Sequence, residues 1–417
     1  MACTMTSMYE RMRQEVVVGG GAQEETTKPS TSRAVLSAIV IGGLLVWLGL
    51  KNVWTLVFVV GLLVSIFLHE VGHFVTARRT GMKATQFFMG FGPRLWSRHK
   101  GDVEYGFRAI PLGAFVRIIG MNGLDEVEPE DEQRAYRNKS FPRQLLVITA
   151  GSLMHLVIAL ALFIGVYAFA GRYDNTGTVA VVRAPEAGSP AALAGIQEGD
   201  IVVALGADKV TTRTELVDAI VEQAPGSAVE VVIQRDGVEE ILTTTLASNP
   251  MDANIAYLGI ATSSTGYVKQ SLVNSFWYGA GDVVRTAGNS VKGVVSALNP
   301  MNSVRALQDS GENLATRPTT VVGASQIGGK LGEDEGLKAV LLLLASVNVF
   351  VGVFNMFPLL PFDGGHAAIA AYERVRSRRG ERYRADINKM IPLTTIVMGL
   401  MGFLLFVGLY LDITQPL

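Results

Sequence analysis

The pentad His69-Glu70-Val71-Gly72-His73 sets two imidazoles four residues apart with a carboxylate beside the first. On a helix, positions i and i+4 share a face, so both rings can address one ion while Glu70 stands next to it. That pattern predicts a zinc site with a general base attached. Catalytic zinc takes three protein ligands and keeps a fourth position open, so a further ligand must come from another part of the chain. The single cysteine, Cys3, excludes both a Cys-rich metal knuckle and an intramolecular disulfide framework. The remaining donor types are histidine and carboxylate.

Asp363 is the best candidate for the third ligand. It follows an apolar run in Phe357-Pro358-Leu359-Leu360-Pro361-Phe362-Asp363-Gly364-Gly365-His366. The two prolines should end a helix and hold an extended segment, and the two glycines should allow an abrupt turn that swings the carboxylate toward the histidines. Asn355, just before that break, has an amide able to donate to and accept from a substrate backbone; the alternative is an interhelical hydrogen bond. His155 stands eleven residues into another apolar run, where an ionisable ring is costly. It could donate to a developing oxyanion or bond a neighbouring helix. His366 adjoins the presumed ligand, and His99 lies among basic residues as a solvated side chain.

These groups must be positioned by apolar helices. The 417 residues are 49% apolar and 18% charged, too oily for a wholly soluble protein, and a formal net charge of −1 argues against a nucleic-acid partner. A bilayer core about 30 Å thick needs roughly 17 to 25 residues of helix. Charge-free runs of that order cover 34–50, 52–68, 144–171, 339–362 and 390–411. Twelve basic residues between Arg78 and Arg143, and seven between Asp363 and Lys389, place both loops in the cytoplasm. The segment from Gly171 to Leu337 carries eleven basic and nineteen acidic residues, as an exported region tolerates. Within it, β-branched runs at 178–182, 201–205 and 229–234 and a helical run at 214–223 suggest a compact α+β module.

The expected fold class is a multi-span α-helical membrane protein of about five transmembrane helices. It carries a membrane-associated β-hairpin and an inserted α+β domain. In chain order the expectation is a disordered cytoplasmic tail (1–33), an extra N-terminal span (34–50), the His-bearing span (52–75) and a cytoplasmic, membrane-associated β region (78–143). There follow a span (144–171), the extracytoplasmic α+β domain (172–266) and an extracytoplasmic linker of no assigned fold (267–337). A span (338–362), a basic cytoplasmic loop (363–389) and a C-terminal span (390–411) complete it.

Zinc would polarise a peptide carbonyl and acidify water, Glu70 would take the proton, and a peptide bond would be cut. A peptide bond inside a transmembrane helix is hydrogen-bonded internally, so the helix must open and find replacement partners. The apolar, Gly-punctuated stretch from Phe107 to Gly120 suits a hairpin dipping into the membrane beside the site, with a strand edge free to pair with unwound substrate; the alternative is an ordinary amphipathic surface hairpin. Two rival classes are a non-catalytic membrane scaffold and a metal transporter. The intact Glu70 speaks against the first, and the scarcity of polar residues in the first and fifth runs against the second.

Together these residues resemble the site-2 protease family of intramembrane zinc metalloproteases. The resemblance runs from about Leu62 to Leu411 and rests on the His-Glu-x-x-His helix, Gly90 to Pro93, the Pro-Leu-Gly at 111–113 and the Asn-x-x-Pro-x-x-Pro-x-Asp-Gly-Gly box from Asn355 to Gly365. It implies zinc ligands at His69, His73 and Asp363, a general base at Glu70 and a substrate-backbone contact from Asn355. It also implies that the segment around Gly188 to Ile201 belongs to one extracytoplasmic PDZ domain that binds exported peptide segments and filters substrates by ectodomain size. Expected partners are the lipid bilayer of a bacterial plasma membrane and single-pass membrane proteins, anti-sigma factors among them, already shortened by a first cut. Where many members carry Gly-Pro-x-x-Asn, this chain has Gly151-Ser152-Leu153-Met154-His155, so His155 stands in the place of an asparagine. The run at 34–50 is an addition to the family pattern.

Overall fold

The computed structural model describes residues 31–121, 127–297, 299, 301–302, 305, 317–377 and 383–416. Most of the tail expected over 1–33 lies outside the described residues. Two compact units emerge, one from Met1–Ile164 with Phe276–Leu417, the other from Gly165–Ser275.

In the first unit, helix α1 (Thr31–Lys51) and helix α2 (Val53–Arg79) follow one another across Asn52. The Asn52 side chain caps α2 by accepting from Thr55 N at 2.9 Å, which restarts the helix after Lys51. Strands β1 (Ala84–Lys100) and β2 (Val103–Ile118) form an antiparallel pair. Gln86 to Met89 pair with Arg117 to Ala114 and also with Glu104 to Phe107, so the ribbon folds back on itself. The hairpin is therefore larger than the stretch expected from Phe107 to Gly120, which supplies only part of β2. Gly106 sits where a Cβ would meet the Phe88 ring and the Trp96 carbonyl, and this lets the layers close up.

Helix α3 (Phe141–Phe169) leads into the second unit. There, strands β3 (Arg172–Arg183), β4 (Ile201–Leu205), β5 (Asp208–Lys209), β6 (Ala228–Arg235), β7 (Val238–Thr245) and short helices α4 (Pro190–Leu193) and α5 (Arg213–Val221) are joined by β8 (Ala247–Ser248), β9 (Ala256–Tyr257) and β10 (Ala261–Val268). The main sheet runs β10-β3-β4-β6-β7, with β5 on β4. Val179, Val202, Leu205, Val231 and Ile233 are buried on it and pack with Leu216 and Leu258, with an irregularity in β4 between Val202 and Ala204 that brings Leu205 onto the same core. Thr212 and Glu215 close a capping box on α5. The Arg235 guanidinium grips Asp200 through Nε at 2.8 Å and Nη2 at 2.7 Å, holding its carboxyl below the usual carboxylate range. The three expected strands and the helix all appear.

The chain returns to the first unit through helix α6 (Leu272–Ala297), then helices α7 (Val321–Glu335), α8 (Leu337–Asn355), α9 (Asp363–Arg376) and α10 (Ile391–Thr414). The segment 267–337, expected to be a linker of no assigned fold, carries helices α6 and α7 among its described residues. A Cβ on Gly328, Gly329 or Gly332 of α7 would strike Phe58, Thr55 or Trp54 of α2; the glycines permit close approach. Asp412 near the end of α10 is fully buried and ties α10 to the start of α7. It accepts from Thr320 N (2.9 Å), Thr320 Oγ1 (2.7 Å), Gly323 N (3.0 Å) and Arg317 Nη2 (3.2 Å). An anion at a helix N-terminus with a cation beside it is a compensated buried charge.

Four described helices, α2, α3, α8 and α10, are long and apolar enough to cross a membrane. The apolar part of α1, Val35–Lys51, is shorter.

Candidate metal centre

His69 and His73 lie one turn apart on α2, both buried. Their Nε2 atoms are 3.1 Å apart. Asp363, the first residue of α9, brings Oδ2 to 3.4 Å from His69 Nε2 and 3.3 Å from His73 Nε2. His73 Nδ1 donates to the Val147 carbonyl at 2.7 Å, so in the neutral ring that binds a metal its Nε2 carries the lone pair. A carboxylate oxygen also only accepts, and Asp363 Oδ2 has no hydrogen-bond partner among the described residues. Electron-rich atoms held this close in a buried site call for a cation between them. Zinc bonds of about 2.0 to 2.2 Å in a tetrahedron place ligand atoms about 3.3 to 3.5 Å apart, which the triangle nearly matches. His69, His73 and Asp363 are also the one group of three or more possible metal ligands among the described residues. The donor set fits zinc.

Glu70 Oε1 stands 4.0 Å from His69 Nε2. Its carboxylate lies against the backbone amide of Val116 in β2. On its other side, the Ala114–Ile118 part of β2 pairs with β1, so Val116 stands on an edge that faces the centre.

The turn that delivers Asp363 differs from expectation. Phe357 N bonds Phe354 O at 3.1 Å and Phe362 N bonds Leu359 O at 3.0 Å, so the two-proline segment is a run of tight turns rather than extended chain. Neither Gly364 nor Gly365 adopts positive φ; both lie within helix α9. Their role is space, because a Cβ on Gly364 would collide with the Met356 and Phe357 carbonyls and one on Gly365 with Leu360 N at 2.6 Å. The helix N-terminus thereby starts at Asp363, where a carboxylate is favourable.

Gly151 of α3 had no role in the sequence reading. A Cβ there would lie 2.6 Å from His69 Nε2 and closer still to His73 Nε2. The bare helix backbone forms one wall of the centre. One turn along, the His155 ring is 4.9 Å from the His69 ring. Its Nδ1 meets Asn348 Oδ1 of α8 at 2.8 Å. Asn348 and Ser65 were also missed; both are polar and buried inside apolar runs, and only that burial distinguishes them. Asn355 ends α8 half-buried, and its amide makes no hydrogen bond among the described residues. His366 lines a separate polar cavity of about 570 Å³ with Tyr136, Gln144, Glu373 and Tyr383, and His99 is exposed.

The model of peptidase family M50 matches residues 57–399. The chain is 33% identical over 397 residues to the zinc metalloprotease Rip1 of Mycobacterium tuberculosis strain H37Rv, covering 86% of this chain and 97% of that protein. It is 34% identical over 399 residues to Rip1 of Mycolicibacterium smegmatis, with the same coverage. A putative zinc metalloprotease of Brucella suis is 27% identical over 373 residues, covering 84% and 93%. Among solved structures, the PDZ domain of an SdrC-like protein from Listeria innocua is 17% identical, with a TM-score of 0.19, over 22% of this chain and 99% of that domain.

Proposed function

The chain belongs to peptidase family M50 and is a multi-pass zinc metalloendopeptidase of the site-2 type, and on that premise we propose that it cuts single-pass membrane proteins inside the bilayer at a centre built from His69, His73, Asp363 and Glu70. The observation that carries this reading is the meeting of Asp363 Oδ2 with two histidine Nε2 atoms at 3.3 and 3.4 Å beside Glu70. In the proposed reaction His69, His73 and Asp363 hold the metal. Zinc bound there supplies Lewis acidity, polarising a peptide carbonyl and acidifying water. Glu70 accepts the proton of the attacking water and returns it to the leaving amine. The Val147 carbonyl fixes the His73 ring through Nδ1. The β2 edge at Val116 offers backbone hydrogen bonds to a substrate segment whose own helix has opened, and Asn355 adds a further polar contact.

The rest of the reading follows from charge and topology. The basic segments 78–143 and 363–389 lie in the cytoplasm of a bacterial cell, the N-terminus inside and the C-terminus outside across five spans. The second unit is a PDZ module on the exported side, supported by its own strand order and by Ser189, which caps α4 by accepting from Ala192 N at 3.2 Å. It admits substrates, such as membrane-spanning anti-sigma factors, after a first protease has shortened their outer part.

The test is membrane proteomics of cells carrying wild type or Glu70→Gln. The variant should bind zinc as wild type does while uncut membrane fragments accumulate. Cleavage at the wild-type rate would remove Glu70 from the reaction.

A further inference from the structure

A chain of buried hydrogen bonds ends at the metal centre and has no part in the reaction just described. Ser65 Oγ, one turn before His69, donates to the Gly61 carbonyl at 2.8 Å. It accepts from Asn348 Nδ2 at 3.1 Å, and Nδ2 also donates to the Leu344 carbonyl at 2.8 Å. Inverting the Asn348 amide would set Oδ1 against that carbonyl, two acceptors face to face, so the orientation is fixed. Oδ1 therefore faces His155 Nδ1, and an amide oxygen can only accept. Nδ1 carries the hydrogen. In the neutral ring Nε2 is left with a lone pair, and it makes no hydrogen bond among the described residues.

We propose that Ser65 and Asn348 are positioning residues that present His155 Nε2 as a hydrogen-bond acceptor for a backbone N–H of the opened substrate segment beside the metal centre. The inference rests on the protease reading of that centre. A helix opened in a dry site exposes amide hydrogens, and each one left unpaired is costly. Zinc would address electron-rich atoms of a substrate, and the Val116 N–H is turned to Glu70; an uncharged acceptor next to His69 serves the opposite need. Donation from Nε2 to an oxyanion would require either a charged imidazolium, costly in a dry apolar surround, or the other neutral tautomer, which leaves Asn348 Oδ1 facing a lone pair. On this proposal His155 accepts.

The experiment compares His155→Asn with His155→Gln in the full-length chain, reconstituted in liposomes with a single-span reporter that wild type cleaves. Asparagine keeps an amide near the Nδ1 position and lacks an Nε2 acceptor. Glutamine reaches the Nε2 position with an oxygen. His155→Asn should keep wild-type zinc content and lose about 10-fold or more in kcat/KM, and His155→Gln should recover most of that loss. Nitrogen-15 solid-state NMR of histidine-labelled protein, with the signal assigned by its absence from His155→Asn, should show Nδ1 protonated and Nε2 bare. Ser65→Ala, which removes one acceptor holding the amide, should weaken that tautomer preference. A protonated Nε2 over a bare Nδ1, wild-type kcat/KM in His155→Asn, or loss of zinc from it would each overturn the inference. Glu70→Gln separates the two failures: an active Glu70→Gln protein defeats the underlying reading, whereas an inactive one beside a fully active His155→Asn protein defeats this inference alone.

Discussion

Replacing Gly151 by alanine adds one methyl group to the wall of the metal centre. The new Cβ would lie 2.5 Å from His69 Cε1 and 2.6 Å from His69 Nε2. Non-bonded atoms settle at about 3.5 Å or more, so the rings or the helix must retreat by about 1 Å or more. A ligand set tolerates about 0.2 Å. The neighbours cannot yield easily, since the His73 ring is tied to Val147 O and a Cβ on Gly72 would already meet the Ala150 carbonyl at 2.7 Å. Displacements near 1 Å cost about 100-fold in rate, and here the ligands themselves move. We expect Gly151→Ala to purify folded, with zinc well below one per chain by elemental mass spectrometry and kcat/KM at least about 100-fold below wild type on a liposome reporter. Gly165→Ala, on the same helix, places its Cβ in open space and should leave zinc and activity intact while raising stability slightly. Stoichiometric zinc and normal cleavage in Gly151→Ala would refute the reasoning.

Two further expectations concern other parts of the chain. Val116→Pro removes the backbone N–H that faces Glu70 and should lower kcat/KM by about 10-fold or more without changing zinc content; an unaffected rate would remove the β2 edge from catalysis. Asp200, held below the usual carboxylate range by Arg235, contributes stability above its unfolded pKa of about 3.9 and loses it as pH falls through the lower folded value. Thermal unfolding of the second unit in the full-length protein should therefore weaken below about pH 4. Asp200→Asn should cost about 1 to 3 kcal/mol at neutral pH and flatten that acid dependence, whereas an unchanged acid profile would show that the pair does not control it.

How much of this was legible in the residues depends on the signal each leaves. His69, Glu70 and His73 are a local pattern, and ionisable groups at the end of an apolar run stand out. Asp363 is distant in sequence, but prolines and glycines around it mark a break at matching depth. The mechanism assigned to those glycines was wrong in kind: they make room for carbonyls rather than turn the chain. Asn348 and Ser65 escaped because uncharged polar residues do not interrupt a charge-free run. Gly151 escaped because a glycine's role on a helix depends on what sits opposite. Helices α6 and α7 escaped because glycine and serine lower local helix propensity, and tertiary packing against α2 outweighs it for α7. Asp412 looked like the end of a span, yet its partners at 317, 320 and 323 bury it.

X-ray absorption at the zinc edge, measured on purified wild type and on Asp363→Ala, tests the central claim most directly. Wild type should show zinc with two imidazole nitrogens at about 2.0 to 2.1 Å and carboxylate oxygen at about 2.0 to 2.2 Å, and Asp363→Ala should lose the metal or that oxygen. An unchanged coordination shell at full zinc content in Asp363→Ala would contradict the account.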